Sequence, residues 1–199
     1  MQLCAITDRR QTARPLLRLV EAWSEGGVHF IQLREKDLDP TALALLARQV
    51  RERIDTARTR LLVNITNPAL ASIARDAGAH GVHLAGKPGP GSAAGVRRMI
   101  GGEMIVSVPC HDLEDIRVAV AEGVDFILFS PVFEKYSTSL THGLEGLRRA
   151  CVAAQNIPIF ALGGITSANA ASCEAVGATG IAGIRLFAGD EWRRLGPAT

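Results

Sequence analysis

Aromatic residues and cysteines are scarce in this sequence. Only 5% of its 199 residues are aromatic, and its four cysteines are Cys4, Cys110, Cys151 and Cys173. They are scattered without CxxC spacing, which argues against a zinc site or a disulfide framework. We therefore expect free thiols, mostly buried.

The sequence also lacks a strong excess of charge and any long apolar run. Its net charge is +2, and no basic run interleaved with aromatics accompanies it, so we expect no nucleic-acid partner. No apolar stretch approaches the roughly 20 residues of a membrane span, and no leader segment is evident, so we expect no membrane association. These absences predict a cytoplasmic protein whose ligand, if anionic, is small.

What the sequence does contain is a repeated phrase. A helix end, a glycine and a β run recur around Gly27, Gly78, Gly123 and Gly177, at intervals of 51, 45 and 54 residues. Glycine suits the left-handed position that ends a helix. Since one βα unit of a compact barrel takes about 25 to 30 residues, each interval holds two units, and four phrases imply eight.

Short, continuous apolar runs predict eight strands, near residues 3–7, 30–33, 61–64, 81–84, 104–108, 126–129, 159–162 and 180–184. Helical patterns lie between them, with Asp39, Asn67, Ser92 and Ser167 as capping residues. An α/β fold results, and the count of eight favours a closed (βα)8 barrel over an open sheet. With 47% hydrophobic residues, we expect one barrel domain over residues 1–199 with a truncated C-terminal helix.

The end of the second strand carries an unusual concentration of charge. Gln32, Arg34 and Lys36 share one face of an extended chain, because side chains alternate with period two, and Glu35 faces the other way. An amide and two cations that converge in this way favour an anion, which arginine can bind with two hydrogen bonds.

In a barrel, the other strand ends meet this one at the same rim. Asn64 follows strand 3, Lys135 follows strand 6 and Arg185 follows strand 8. Gly163 and Gly164 expose backbone N–H groups after strand 7, where loops commonly bind phosphate.

Histidine supplies the candidate acid or base. His111 lies at the end of strand 5, and its near-neutral pKa range suits proton transfer. We expect His29, His80 and His83 to be structural residues bound to the backbone.

Five motifs carry a resemblance to a known family. They are Ala5-Ile6-Thr7-Asp8, Gln32-Leu33-Arg34-Glu35-Lys36-Asp37, Gly81-Val82-His83-Leu84, Phe129-Ser130-Pro131-Val132-Phe133, and Leu162-Gly163-Gly164-Ile165 followed by Asn169. Over nearly its whole length the chain resembles the thiamine phosphate synthase and TenI superfamily. The resemblance implies a (βα)8 barrel and a thiamine-pathway substrate that carries phosphate.

The resemblance also implies residue roles. In synthases, the residues that bind the pyrimidine diphosphate are matched here by Gln32, Arg34 and Lys36, and the further substrate-binding candidates are Asn64, Lys135 and Thr138. The thiazole phosphate site is matched by Gly163, Gly164 and the backbone of Ile184 and Arg185.

Two acidic residues of the synthases have no counterpart. Synthases ionise a pyrimidine diphosphate with the help of Mg²⁺, and they carry one acid after strand 3 and one after strand 4. The corresponding segments here are Asn64-Ile65-Thr66-Asn67 and Ala85-Gly86-Lys87-Pro88. TenI proteins, which isomerise a thiazole phosphate, also lack these acids and use a histidine that His111 matches.

Our leading interpretation is a TenI-like thiazole tautomerase with His111 as acid and base and no cofactor. The alternative is a thiamine phosphate synthase that recruits Mg²⁺ through Asp8, Asn64 or the substrate diphosphate. A second alternative is a noncatalytic regulatory paralogue. The expected partners are a phosphorylated thiazole, a pyrimidine diphosphate in the synthase case, and a second copy of the chain if a homo-oligomer forms.

Overall fold

The computed structural model describes residues 1–87, 89, 91–133 and 141–196, and within them strands and helices alternate. The strands are β1 (Gln2–Ile6), β2 (Phe30–Leu33), β3 (Arg60–Ile65), β4 (Gly81–Leu84), β5 (Ile105–Cys110), β6 (Phe126–Phe129), β7 (Ile159–Ala161) and β8 (Gly180–Gly183). The helices are α1 (Leu16–Glu25), α2 (Pro40–Arg51), α3 (Ala71–Asp76), α4 (Ser92–Ile100), α5 (Leu113–Ala121), α6 (Gly143–Ala153), α7 (Ala170–Ala175) and α8 (Arg185–Ala188). The predicted strand limits agree with these to within two residues.

The strands form a closed parallel barrel in chain order, because β1 pairs with both β2 and β8. The predicted (βα)8 barrel is therefore confirmed. The last helix, α8, has four residues and is followed by a 3-10 helix over Glu191–Leu195, as expected for a truncated end. Among the described residues, no helix combines the length and the apolarity that crossing a bilayer requires.

Local signals account for most helix ends. The four repeated glycines all have positive φ, between 64° and 107°, which fits the left-handed position after a helix. Asp39 caps α2, since its carboxylate accepts the N–H groups of Thr41 and Ala42. Asn67 likewise caps the 3-10 helix Pro68–Leu70 that precedes α3.

Two predicted caps are wrong. Ser92 is the first residue of α4 rather than its cap, and its hydroxyl donates to the carbonyl of Gly89. Ser167 lies before α7, which begins only at residue 170. The reason is a turn in which the side chain of Asn169 accepts the N–H of Thr166, and this turn delays the helix.

The barrel interior is filled in layers. Phe30, Phe126 and Phe160 form one layer, with ring centroids 5.0 to 5.6 Å apart. Two residues further along the same strands, Gln32, Leu128 and Leu162 point to the same side of the sheet and line a cavity. The aromatic layer is therefore the floor beneath that cavity.

Candidate active site

A cavity of about 300 Å³ opens at the carboxyl ends of the strands. The predicted site residues that line it are Gln32, Arg34, Asn64, His111, Gly163, Gly164, Ile184 and Arg185. Lys135 and Thr138 lie outside the described residues. The barrel thus brings together residues that are up to 153 positions apart in the sequence.

The wall formed by β2 and β3 presents two amides. Gln32 is only 2% exposed, and its Nε2 donates to Oδ1 of Asn64 at 3.1 Å. The Gln32 Oε1 atom is buried and has no hydrogen-bond partner among the described residues. A buried acceptor without a partner is costly, so a ligand group or a water molecule that donates to it would be favoured.

Arg34 lines the cavity as predicted, but Lys36 does not. The backbone N–H of Arg34 donates to Oγ1 of Thr7 at 2.9 Å, while Lys36 is exposed and outside the lining. The structure therefore brings Gln32 and Arg34 to the cavity and leaves the exposed Lys36 outside its lining. The physical reason is that the chain turns at residues 36 and 37, so the alternation that still holds at Arg34 and Glu35 is lost at Lys36.

Glu35 faces away from the cavity, as alternation predicts. Its carboxylate, 1% exposed, accepts the backbone N–H of Arg9 at 3.1 Å and its guanidinium at 3.0 Å. The second guanidinium nitrogen of Arg9 binds Asp37 at 2.6 Å. These bonds tie the loop after β1 to the loop after β2 and fix the backbone that carries Arg34.

His111 is held in one orientation at the rim. Its Nδ1 lies 2.8 Å from the backbone carbonyl of Ser130, and because a carbonyl can only accept, Nδ1 carries the proton. In the neutral ring the lone pair is then on Nε2. The backbone N–H of His111 donates at 2.8 Å to the carboxylate of Asp115. Asp115 is a buried residue in the first turn of α5, and its own backbone N–H donates to the capping side chain of Asp112.

A cradle of backbone N–H groups lies on the other side of the mouth. Gly163 and Gly164 have φ values of 96° and 64°, and among the described residues no acceptor takes their N–H groups or that of Ile184. At Gly163 a side chain is excluded, since a Cβ would lie 2.9 Å from the Cα of Pro131. Asn169 braces the loop by donating to the carbonyl of Gly164. Successive backbone N–H groups in such a conformation suit an anion.

His83 lines the cavity, although we expected it to be a structural residue. It is 4% exposed, and its Nδ1 lies 3.0 Å from Oγ of the buried Ser107. Burial, with a smaller contribution from the nearby Arg34, lowers the pKa of His83 to about 3, so the ring is neutral at physiological pH. Alternation along β4 was the signal that could have placed it, since His83 shares a face with Gly81 and Ala85.

The other two histidines that we expected to be structural, His29 and His80, behave as predicted. Nδ1 of His29 accepts the backbone N–H of Leu3, and Nδ1 of His80 accepts that of Leu61. Each ring therefore joins two neighbouring strands at the end of the barrel remote from the cavity. Gln11 is a further cavity residue that no sequence signal marked, because it lies in a single 3-10 turn after β1.

The fold and the cavity agree with a specific family. A family model described as thiamine monophosphate synthase (TMP-TENI) matches residues 3–187. The chain belongs to this family. Its members are enzymes of thiamine biosynthesis, and the predicted superfamily is confirmed.

Several members of the family are similar over nearly their whole length. A Geobacter sulfurreducens protein provisionally named thiamine-phosphate synthase is 40% identical over 94% of this chain and 87% of its own. The thiamine-phosphate synthase of Moorella thermoacetica is 35% identical over 92% of this chain and 86% of its own. Among solved structures, the thiamine phosphate pyrophosphorylase of Pyrococcus furiosus has a TM-score of 0.80 at 26% identity, over 97% of this chain and 90% of that one.

Magnesium, which thiamine-phosphate synthases generally require, does not fit the described side chains well. Mg²⁺ prefers oxygen ligands, carboxylates above all, and the described lining contains no Asp or Glu. In the part of the chain that the structure describes, no group of three or more His, Cys, Asp or Glu could hold a metal ion. Oδ1 of Asn64 already accepts a hydrogen bond from Nε2 of Gln32.

Asp8 does not remedy this lack of carboxylates. Its two oxygens accept the N–H of Arg10 at 3.2 Å and Nε2 of Gln11 at 2.6 Å. Burial alone would raise the pKa of Asp8, but these hydrogen bonds and the nearby Arg10 and Arg34 hold it below its ordinary value. The carboxylate is charged, and its hydrogen bonds hold it within the loop after β1.

Proposed function

We propose that this chain joins a pyrimidine methyl diphosphate to a thiazole phosphate, which forms thiamine phosphate and releases diphosphate. The observation that carries the proposal is the presence of two separate groups of donors around one cavity. Gln32 and Arg34 lie on the β2 side, and the N–H groups of Gly163, Gly164 and Ile184 lie on the β7 and β8 side. Two anion-binding groups suit a reaction that brings two phosphorylated substrates together.

In this reaction the bond between the methylene carbon and the diphosphate oxygen breaks. The thiazole nitrogen provides the electron pair for the new carbon–nitrogen bond, and the diphosphate leaves with the electrons of the old one. Negative charge grows on the leaving group, so a fixed cation beside it stabilises the transition state. Arg34 is suited to this role, since a guanidinium can bind two phosphate oxygens at once.

The glycine cradle would hold the second substrate. Phosphate bound to the N–H groups of Gly163 and Gly164 anchors the thiazole at the rim, and the ring then projects into the cavity. Holding both reactants in one small volume removes much of the entropic cost of their encounter. The names of the relatives support this assignment, since those at 30 to 40% identity are named for thiamine-phosphate synthesis.

A second candidate is the tautomerisation of a thiazole phosphate, and His111 favours it. With Nδ1–H bound to the carbonyl of Ser130, the lone pair of Nε2 is available to take a proton from one ring position and return it to another. This reaction needs one phosphate anchor and no diphosphate site. It would leave Arg34, at the end of β2, without a role.

The test is to give the purified protein each reaction separately. Thiamine phosphate is measured by its fluorescent oxidation product after incubation with both substrates. Tautomerisation is followed by proton exchange of the thiazole phosphate in deuterated water. If the protein is a transferase, Arg34→Ala should lower thiamine phosphate formation by about 100-fold or more, since a charge-assisted transition-state contact is lost.

His111→Asn is the matched variant. Asparagine can still donate to the carbonyl of Ser130, but it has no base at the Nε2 position. If His111→Asn abolishes exchange and no thiamine phosphate forms in any sample, the tautomerase candidate replaces the transferase. If the wild-type protein catalyses neither reaction but binds thiazole phosphate, the chain is a noncatalytic paralogue.

A further inference from the structure

We propose that Thr7, which lies outside the cavity lining, is a positioning residue that directs Arg34 towards the diphosphate. The inference rests on the transferase proposed above, because Arg34 is the cation assigned there to the leaving group. The role of Thr7 follows from how the chain continues beyond the paired ends of β1 and β2.

The pairing of β1 with β2 extends one residue past the end of β1, and there its form changes. The register pairs Ile6 with Gln32, so Thr7 comes to lie beside Leu33. The backbone N–H of Thr7 donates to the carbonyl of Gln32 at 3.0 Å, as in a regular parallel ladder. In the same ladder the N–H of Arg34 would donate to the carbonyl of Thr7. It donates instead to the side-chain Oγ1 of Thr7, at 2.9 Å.

The hydroxyl of Thr7 keeps the chain extended at Arg34. It holds the backbone of Arg34 in line with β2 for one residue beyond the last strand residue, Leu33. Side chains alternate along an extended chain, so Arg34 points to the same side as Gln32, into the cavity. Thr7 is 1% exposed, so little water can compete with its hydroxyl for this N–H.

Neighbouring contacts agree with this placement of Arg34. The backbone N–H and the guanidinium of Arg9 both bind the carboxylate of Glu35, which joins the two loops again two residues after Thr7. Burial is the main cause of the low pKa of His83, and the positive charge of Arg34 lowers it further. The guanidinium of Arg34 therefore lies within electrostatic range of the β4 wall of the cavity.

Arg34 needs this support because a turn begins only two residues further on. Lys36, in that turn, is exposed and outside the cavity lining. If the N–H of Arg34 lost its acceptor, the chain would be free to turn earlier and carry the guanidinium out of the cavity in the same way. A displacement of about 1 Å is enough to remove much of a transition-state contact. Thr7 thus acts on the ligand through Arg34, without touching it.

The test uses inorganic pyrophosphate, titrated calorimetrically into the full chain with millimolar Mg²⁺ and again with EDTA. The variants are measured in the buffer in which the wild-type protein binds more tightly. Thr7→Val, which keeps the shape of the side chain but removes the acceptor, should weaken binding by about tenfold. Thr7→Ser restores a hydroxyl and should bind within about twofold of the wild type.

Thr59→Val is the matched control. Thr59 is also buried, and its hydroxyl donates to the carbonyl of Val28 at 2.8 Å, at the end of the barrel remote from the cavity. The same substitution there removes one buried hydrogen bond, so it should lower the thermal stability and leave pyrophosphate affinity unchanged. If circular dichroism shows that Thr7→Val does not fold, Thr7→Ala, which also removes the acceptor, is measured in its place.

The coupled reaction gives a second measurement. Under the transferase proposal, Thr7→Val should lower kcat for thiamine phosphate formation by about tenfold. It should leave KM for the thiazole phosphate nearly unchanged, because the cradle of Gly163 and Gly164 lies on the other side of the mouth. A purely structural role of Thr7 would not separate the two constants in this way.

The inference is overturned if Thr7→Val binds pyrophosphate like the wild type, if Thr59→Val weakens binding as much, or if Thr7→Ser fails to restore it. Absence of pyrophosphate binding by the wild-type protein in both buffers also overturns it. The transferase is judged separately, by product formation. If the variants bind as expected and no thiamine phosphate forms, the role of Thr7 at an anion site stands and the transferase falls.

Discussion

Replacing His83 with asparagine is expected to make the barrel more resistant to acid. His83 is buried against Ser107, and burial lowers its pKa from 6.5 to about 3. In the unfolded chain the imidazole takes up a proton near pH 6.5, while in the folded protein it stays neutral. The unfolded state therefore binds more protons between these two values, and stability falls as the pH falls.

The magnitude follows from the separation of the two pKa values. The contribution of His83 is complete above about pH 6.5, and proton uptake by the unfolded state costs roughly 2 kcal/mol by pH 5 and about 3 kcal/mol by pH 4. His83→Asn removes the titrating group and keeps a polar side chain beside the hydroxyl of Ser107. The variant should thus lose about 2 kcal/mol less than the wild type between pH 7.5 and pH 5.

Urea unfolding followed by circular dichroism, at half-unit steps from pH 7.5 to pH 4.5, measures this difference. Carboxylates also lose stability in acid, but they do so equally in both proteins and cancel. His142→Asn, at the start of α6, serves as the control histidine variant. If wild type and His83→Asn lose the same free energy of unfolding between pH 7.5 and pH 5, the assignment of a buried neutral imidazole is wrong.

Three further predictions concern single contacts. Gly163→Ala should lower the free energy of unfolding by about 1 to 3 kcal/mol, because φ is 96° and a Cβ collides with neighbouring backbone. The same substitution should abolish phosphate binding. Thermal melts with and without phosphate measure both effects. Arg9→Ala should cost about 3 kcal/mol by urea unfolding, since it strands the buried carboxylate of Glu35, and Glu35→Gln in the same background should restore part of that loss. His80→Ala should cost about 1 kcal/mol, because the N–H of Leu61 loses its acceptor, whereas His80→Asn, which keeps an acceptor, should cost less; equal losses in a thermal melt would contradict this.

The fold could be predicted from the sequence because its signals are local and repeated. A glycine after each helix, such as Gly27 or Gly123, and a short apolar run after each glycine are enough to count eight units. The errors lie where a turn competes with a helix, as at Ser167, where the side chain of Asn169 shapes the backbone first. Side-chain competition of this kind depends on geometry that no composition pattern contains.

The site residues could be predicted only as far as the extended conformation of the strands continues. Period-two alternation placed Gln32 and Arg34 at the cavity, but it does not extend to Lys36, which lies in the turn that begins three residues after β2. The contact of His83 with Ser107 and the neutrality that burial imposes on its ring are properties of the closed barrel, although alternation along β4 places this residue on the cavity face. The pairing of Lys87 with Asp112 across two loops is likewise a consequence of closure, since these residues lie 25 positions apart.

The aromatic floor has a consequence for kinetics. In the part of the chain that the structure describes, the rings of Phe30, Phe126 and Phe160 pack against one another across the barrel, one pair edge to face and two pairs tilted, so the cavity has a closed end beneath it. Reactants and products then enter and leave through one opening, at the carboxyl ends of the strands. Under the transferase proposal, whichever substrate sits deeper must enter first, and its product must leave last. A packing layer that holds no catalytic group would in this way impose ordered binding of the substrates and ordered release of the products.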